Sequence, residues 1–144
     1  MNKYDDANKV MVERFGQDTL ISVATVSDGR PFVRIVNSLY EDGSFYTITY
    51  ALSNKINHIK TNPEVAMCAE WFTASGIGEN IGHPHDEKNV ELMKRLRAAF
   101  AEWYDNGHTD EGDPNTCILR VRLTAGVLFS HGTRYDINFT DRQA

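Results

Sequence analysis

Two Asp-Gly pairs, Asp28-Gly29 and Asp42-Gly43, each sit between runs rich in β-branched and aromatic residues. A two-residue hairpin turn needs residues that tolerate positive φ, and Asp-Gly is among the strongest such signals. The pairs therefore predict antiparallel strands over residues 19–26, 31–39 and 44–50, joined as a meander. Further strands are expected over residues 64–71, where Val65, Met67, Ala69 and Trp71 alternate with Ala66, Cys68 and Glu70, and over 73–81, 116–129 and 134–139. Few segments between them have helical periodicity. Apolar residues at helical spacing predict a lead-in helix over 4–15, stopped by Gly16, and a long amphipathic helix over 86–104 with Leu92, Met93, Leu96, Phe100, Trp103 and Tyr104 on one face. A third, short helix over 53–61 is bounded by Ser53 as cap and by Pro63, which biases Asn62 away from helical φ/ψ. Six or seven strands joined mostly by hairpins, with two or three helices, define a mainly β (α+β) antiparallel barrel or sandwich. A doubly wound sheet would need regular β-α alternation, which is absent.

The 144 residues suit one domain spanning 1–144, with 41% hydrophobic and 24% charged residues in ordinary globular proportion. A formal charge of -5, with fifteen scattered Lys and Arg, gives no basic footprint for nucleic acid. The opening MNKYDDANKV has no apolar stretch behind its lysine, and nowhere do eighteen apolar residues run together. No membrane association and a cytoplasmic location are the expectations. Cys68 and Cys117 stand far apart without a CxxC companion, as expected of free thiols.

The stretch TYALSNKINHIKTNPE, residues 49–64, places Lys55 in the first turn of the short helix. A helix N-terminus carries about half a positive charge, so a cation there costs about 0.3 to 1 kcal/mol, and a bound anion would reverse the sign. In PFVRIVNS, residues 31–38, period two puts Phe32, Arg34, Val36 and Ser38 on one face of the strand. An arginine amid apolar neighbours needs a partner or a solvent edge. If the Asp42-Gly43 hairpin pairs this strand with residues 44–50, then Arg34, Thr49, Ser53, Asn54 and Lys55 converge near one end. Hydroxyl, amide, two cations and free helix N–H groups are the chemistry of a phosphate monoester site.

The order RPFVRIV followed by DGSFYTITYALSNKINHIKTNPEVAM resembles the pyridoxamine 5'-phosphate oxidase-like family of FMN-binding split β-barrels, chiefly over residues 19–71. The resemblance implies that Arg34, Ser53, Asn54 and Lys55 hold the FMN phosphate with Thr49 nearby. It implies that Ile35, Val36, Asn37 and Ile48 contact the isoalloxazine through backbone or side chain. It also implies a homodimer with a flavin at each interface and a small-molecule substrate or electron donor. True oxidases of the family carry a C-terminal segment with arginine, tryptophan and histidine residues that grip the substrate phosphate, whereas this sequence ends HGTRYDINFTDRQA. The expectation is a short, stress-protein- or reductase-like member: an FMN-dependent oxidoreductase that is not a pyridoxamine 5'-phosphate oxidase. The alternative is a non-catalytic flavin- or haem-binding store or sensor.

The sequence names no catalytic acid or base. His131, Arg134 and Trp71 are candidates for bordering the pocket, against their reading as ordinary strand residues and a packed aromatic. His83-Pro84-His85-Asp86-Glu87 has metal-binding donor types, but an acidic pair at a helix start is explained by the helix dipole, so no metal is assigned. Gly76-Ile77-Gly78-Glu79-Asn80-Ile81-Gly82 imitates a dinucleotide fingerprint, yet its third glycine comes one residue late and no βαβ unit surrounds it. A flexible hairpin is expected there. The acidic segment 108–115 reads as a surface turn.

Overall fold

The computed structural model describes residues 2–144. Its elements in chain order are helix α1 (Lys3–Phe15), strands β1 (Thr19–Ser27), β2 (Arg30–Glu41) and β3 (Ser44–Tyr50), helix α2 (Asn54–Thr61), strands β4 (Glu64–Ala69) and β5 (Phe72–Asn80), helix α3 (Val90–Ala99), and strands β6 (Thr116–Ser130) and β7 (Thr133–Asn138). All neighbouring strands run antiparallel in the order β3-β2-β1-β4-β5-β6-β7, and a further β3–β6 pairing closes the first six into a barrel. Closure depends on the length of β6. Its first half pairs with β3 from Tyr50↔Thr116 to Ser44↔Arg122, its second half with β7, and its other edge with β5.

Both Asp-Gly turns form as expected, with φ of 52° and 75° at Asp28-Gly29 and 41° and 84° at Asp42-Gly43. His131-Gly132, at 48° and 80°, is a third turn of this kind and joins β6 to β7. Trp71 was expected to end the fourth strand but stands at φ 55° in the turn between β4 and β5, 67% exposed. The strands pair Ala69 with Phe72, and Phe72 takes the core position that the alternation seemed to give Trp71.

Because successive strand residues face opposite sides, the barrel carries two cores. Tyr40, Phe45, Phe72, Leu119 and Val121 point inward and meet Met11 and Phe15 of α1, with Phe15 5.7 Å from Phe45 and 5.4 Å from Phe72 between ring centres. Leu39 and Ile118, one residue out of step, point outward under Met93, Leu96 and Phe100 of α3. The run Cys117-Ile118-Leu119 is buried throughout for this reason: it serves both layers.

Two expectations need correction. The helix over 86–104 is instead a 3-10 turn at Glu87–Asn89 followed by α3, which ends at Ala99. Asn89 donates its side-chain amide to the carbonyls of Ile81 and His83, both at 3.1 Å, tying in the incoming chain. At the other end, Trp103 and Tyr104 leave the helical path where their polar atoms find partners in Asp18 and Glu111. Of the two readings of the glycine-rich segment, the strand over 73–81 holds and the flexible hairpin does not: Gly76 and Gly78 lie in β5, beside a register shift between Ser75 and Gly76. A Cβ on Gly76 would lie 2.8 Å from the Arg122 carbonyl oxygen, and one on Gly78 2.9 Å from Ile59 of α2. These glycines allow close approach.

Alanine usually favours a strand over glycine by about 0.5 to 1 kcal/mol, whereas overpacking against an unyielding backbone costs about 1 to 3. Gly76→Ala is expected to be net destabilising, by about 1 to 2 kcal/mol in urea unfolding. An unchanged or raised midpoint would show that the β5–β6 contact yields.

Candidate functional site

The second and third strands separate soon after their turn. Only Glu41↔Ser44, Tyr40↔Phe45 and Leu39↔Tyr46 pair. Beyond them side chains take over: Ser38 donates its hydroxyl to the Tyr46 carbonyl at 3.2 Å, and Thr47 donates to the Asn37 carbonyl at 2.6 Å. From there β2 continues along β1, up to Ser27↔Arg30, while β3 continues along β6. The divergence opens a cleft of about 370 Å³ lined by Val36, Asn37, Thr47, Ile48, Thr49, Tyr50, Lys55, Trp103, His108, Thr109, Asp110, Asp113 and Thr116.

Lys55 enters the cleft from the first turn of α2, which Ser53 caps by accepting from the Ile56 N–H. Its ammonium donates to the Thr49 hydroxyl at 2.6 Å. The Thr49 oxygen accepts from a cation, which leaves its own O–H free to donate elsewhere. Burial first, and the charge of Arg34 second, hold Lys55 below its ordinary pKa. Arg34 faces the same side of β2 as its partner Val23 on β1, and donates to the Thr25 hydroxyl at 2.8 Å and to the carbonyls of Val23 and Phe32. Thr25 is fully buried and in turn contacts Nδ1 of His58 at 2.8 Å. Burial also lowers the Arg34 pKa. Among the described residues neither Arg34 nor Lys55 is in an ion pair, although both are half-buried. Two half-buried cations with no ion-pair partner of their own favour an anion, and the carboxylates of the cleft lining, Asp110 and Asp113, stand on the opposite wall without pairing to them.

The opposite wall comes from the chain between α3 and β6. Trp103 donates its indole N–H to Asp18 at 2.8 Å, and the other oxygen of Asp18 accepts from the Asn37 amide at 3.0 Å. Beyond Trp103, the loop carrying His108, Asp110 and Asp113 is clasped to α3 by Glu111. This carboxylate accepts from Arg97 at 2.8 and 2.9 Å, from the Tyr104 hydroxyl, and from His85 at 3.0 Å. The Arg97 hydrogen bond, with Tyr104 and His85 adding to it, pulls the Glu111 carboxyl down to about 2 from 4.5. His83 donates Nε2–H to the Asp113 carbonyl, because its Nδ1 accepts from the His85 backbone N–H at 2.9 Å. The histidines once considered as metal donors thus pin the loop.

Five of the nine residues implicated by sequence, Val36, Asn37, Ile48, Thr49 and Lys55, surround one cleft, and Arg34 is coupled electrostatically to Lys55. Ser53 and Asn54 stand at the α2 entrance. Ile35 does not join them: it is 66% exposed on the outer face, leaving only its backbone on the strand beside the cleft. His131, Arg134 and Trp71 do not line the cleft. His131 is in a turn, Arg134 pairs with Asp136, and Trp71 meets Phe129 edge-on. Sequence reasoning missed Asp18, Thr25, His58 and Trp103, whose roles come from contacts distant in the chain. The 108–115 loop was legible only as a turn.

The chain matches the pyridoxamine 5'-phosphate oxidase family model over residues 7–128 and belongs to that family. It is 25% identical to general stress protein 26 of Bacillus subtilis (strain 168) over 143 residues, spanning 96% of this chain and 98% of that protein. The fold recurs in a FAD-binding protein from Mesorhizobium loti, at TM-score 0.62 and 16% identity over 84% of this chain and 89% of the other. It also recurs in a heme-binding protein from Mycobacterium smegmatis, at TM-score 0.65 and 13% identity over 88% of this chain and 55% of the other. At these identities the two structures speak to the split-barrel fold alone.

A carboxylate whose folded pKa is depressed contributes stability above its unfolded pKa and loses it as pH falls toward the folded one. For Glu111 that window runs from about pH 4.5 to about pH 2. Glu111→Gln should be less stable than the parent at pH 6, with the gap narrowing across this window in denaturant unfolding. A pH-independent gap would show that the clasp does not depend on the charge.

Proposed function

We propose that this protein binds FMN non-covalently in the cleft between β2 and β3 and supports flavin-dependent oxidation or reduction of a small molecule. The observation that carries the reading is the pair of half-buried cations, Arg34 and Lys55, with no carboxylate of their own. A phosphate monoester dianion matches them in charge, and the Thr49 hydroxyl and the N-terminus of α2 add donors. Val36 and Ile48 offer apolar contact to a flat ring, with Asn37 and the Ile35 backbone along the same strand. Trp103 faces the ring's far side of the cleft. Bound flavin supplies the electron transfer, while these residues bind it, orient it and exclude water. The FAD-binding relative accords with a flavin, and the two cations accord with a phosphate-bearing one.

A homodimer completes the proposal. Leu20, Val33 and Ile35 are 63%, 71% and 66% exposed on the outer face of β1 and β2. Beside them a shallow apolar groove of about 690 Å³, lined by Ala24, Val33, Ala66, Cys68 and Val127 among others, runs over the outer face of the sheet. A second copy is the occupant that would put a flavin near each interface, because Ile35 lies next to Arg34 and Val36. Sedimentation equilibrium should return twice the 16.3 kDa chain mass, and Ile35→Asp should shift it toward the monomer. A monomeric parent would overturn this part.

Among the described residues no helix is long and apolar enough to cross a membrane. Location in the cytoplasm is part of the proposal and rests on the sequence.

The deciding experiment is a thermal melt with and without FMN, since a ligand selective for the folded state raises the transition. Arg34→Ala and Lys55→Ala should each weaken FMN binding by about tenfold or more, each removing a charge-assisted contact worth about 1.5 to 3 kcal/mol. Unchanged affinity in both variants would reject the assignment. The absorption spectrum of the purified protein separates flavin from haem: a Soret band without flavin bands would favour the heme-binding relative's chemistry.

A further inference from the structure

Asp18 lies between α1 and β1, is half-buried, and belongs to neither wall of the cleft, yet it touches both. One carboxylate oxygen accepts from the Trp103 indole at 2.8 Å and the other from the Asn37 side-chain nitrogen at 3.0 Å. An ionised carboxylate only accepts hydrogen bonds, so the atom of Asn37 facing it must be the NH₂ group and not the carbonyl oxygen. The orientation of that amide is therefore dictated chemically. Thr47 fixes the same residue from the backbone side by donating to its main-chain carbonyl at 2.6 Å.

The consequence falls on Oδ1 of Asn37, which has no hydrogen-bond partner among the described residues. No fully buried side-chain polar atom among those residues is unsatisfied, so this oxygen is open to solvent on a residue that lines the cleft. Asn37 thus carries a fixed free acceptor on a residue of the cleft lining and cannot readily turn a donor outward in its place.

We propose that Asp18 is a positioning residue that holds the Asn37 amide as an acceptor for a ring N–H, and that this selects the imide edge of the oxidised flavin. The inference rests on the FMN reading above. Oxidised isoalloxazine has a single ring N–H, at N3, between two carbonyls, so one correctly turned amide oxygen is enough to read it. A reversed amide would set NH₂ against N–H and leave both unpaired.

The test is a cycle of two proteins and two ligands, FMN and its N3-methyl derivative, with Kd measured by fluorescence quenching. Methylation removes the N–H and adds bulk in every case; only the loss of the hydrogen bond depends on Asp18. Asp18→Asn keeps shape and still accepts from Trp103, but its own NH₂ now faces Asn37 and turns that amide around. Methylation should therefore weaken binding to the parent by about tenfold more than to Asp18→Asn. Should Asp18→Asn fail to fold, Asn37→Leu carries the same cycle, with the same collapse of the methylation penalty expected. An equal methylation penalty in parent and variant, within twofold, would overturn the inference while leaving FMN binding intact. Failure of the parent to bind FMN at all would overturn both readings. A purely structural role for Asp18 predicts equal weakening of both ligands, which the cycle registers as no coupling.

Discussion

The separation of β2 from β3 after three residue pairs is the constraint on which the rest of the site depends. A continued ladder would bring Asn37 against Ile48 and leave no space between the strands. Each strand keeps one edge paired elsewhere, β2 along β1 and β3 along β6, while the edges that face the cleft are left open. Ser38 and Thr47 bridge the point of divergence with their hydroxyls, which sets its position. Substituting a strong β-former without a hydroxyl at either residue would remove that marker from the sequence.

The cations at the cleft illustrate how a binding site works against the stability of its own fold. Lys55 sits at the positive end of a helix, half-buried and beside Arg34, and both burial and that neighbour disfavour its charge. None of these interactions helps the empty protein. An anion placed between the two cations would offset these costs by its attraction to both. Glu111 on the other wall differs, because Arg97 answers its charge within the chain.

How much of this the sequence made legible follows from the range of each interaction. The Asp-Gly turns, the Ser53 cap and the Lys55 anomaly are local signals, and the strand meander, short helix and cation pair follow from them. Arg34 could be singled out because an arginine on an apolar strand face is conspicuous alone. The long helix failed at its C-terminal end because Trp103 and Tyr104 satisfy the apolar helical pattern while answering to Asp18 and Glu111, contacts no periodicity encodes. The glycines of β5 misled for a related reason: without the β6 carbonyl and the Ile59 side chain in view, close packing reads as looseness. Asp18 gave no signal, being one acidic residue in a turn.

The barrel closes only when β3 meets the first half of β6, segments far apart along the chain with two helices and two strands between them. Such a pairing pays a loop-closure entropy that local hairpins avoid. Thr49 and Ile48 acquire their final surroundings at that same step, since they are paired with Cys117 and Ile118. The cleft takes its final form only with the closed barrel, so a molecule held between its walls would also hold together the chain's longest-range strand pairing.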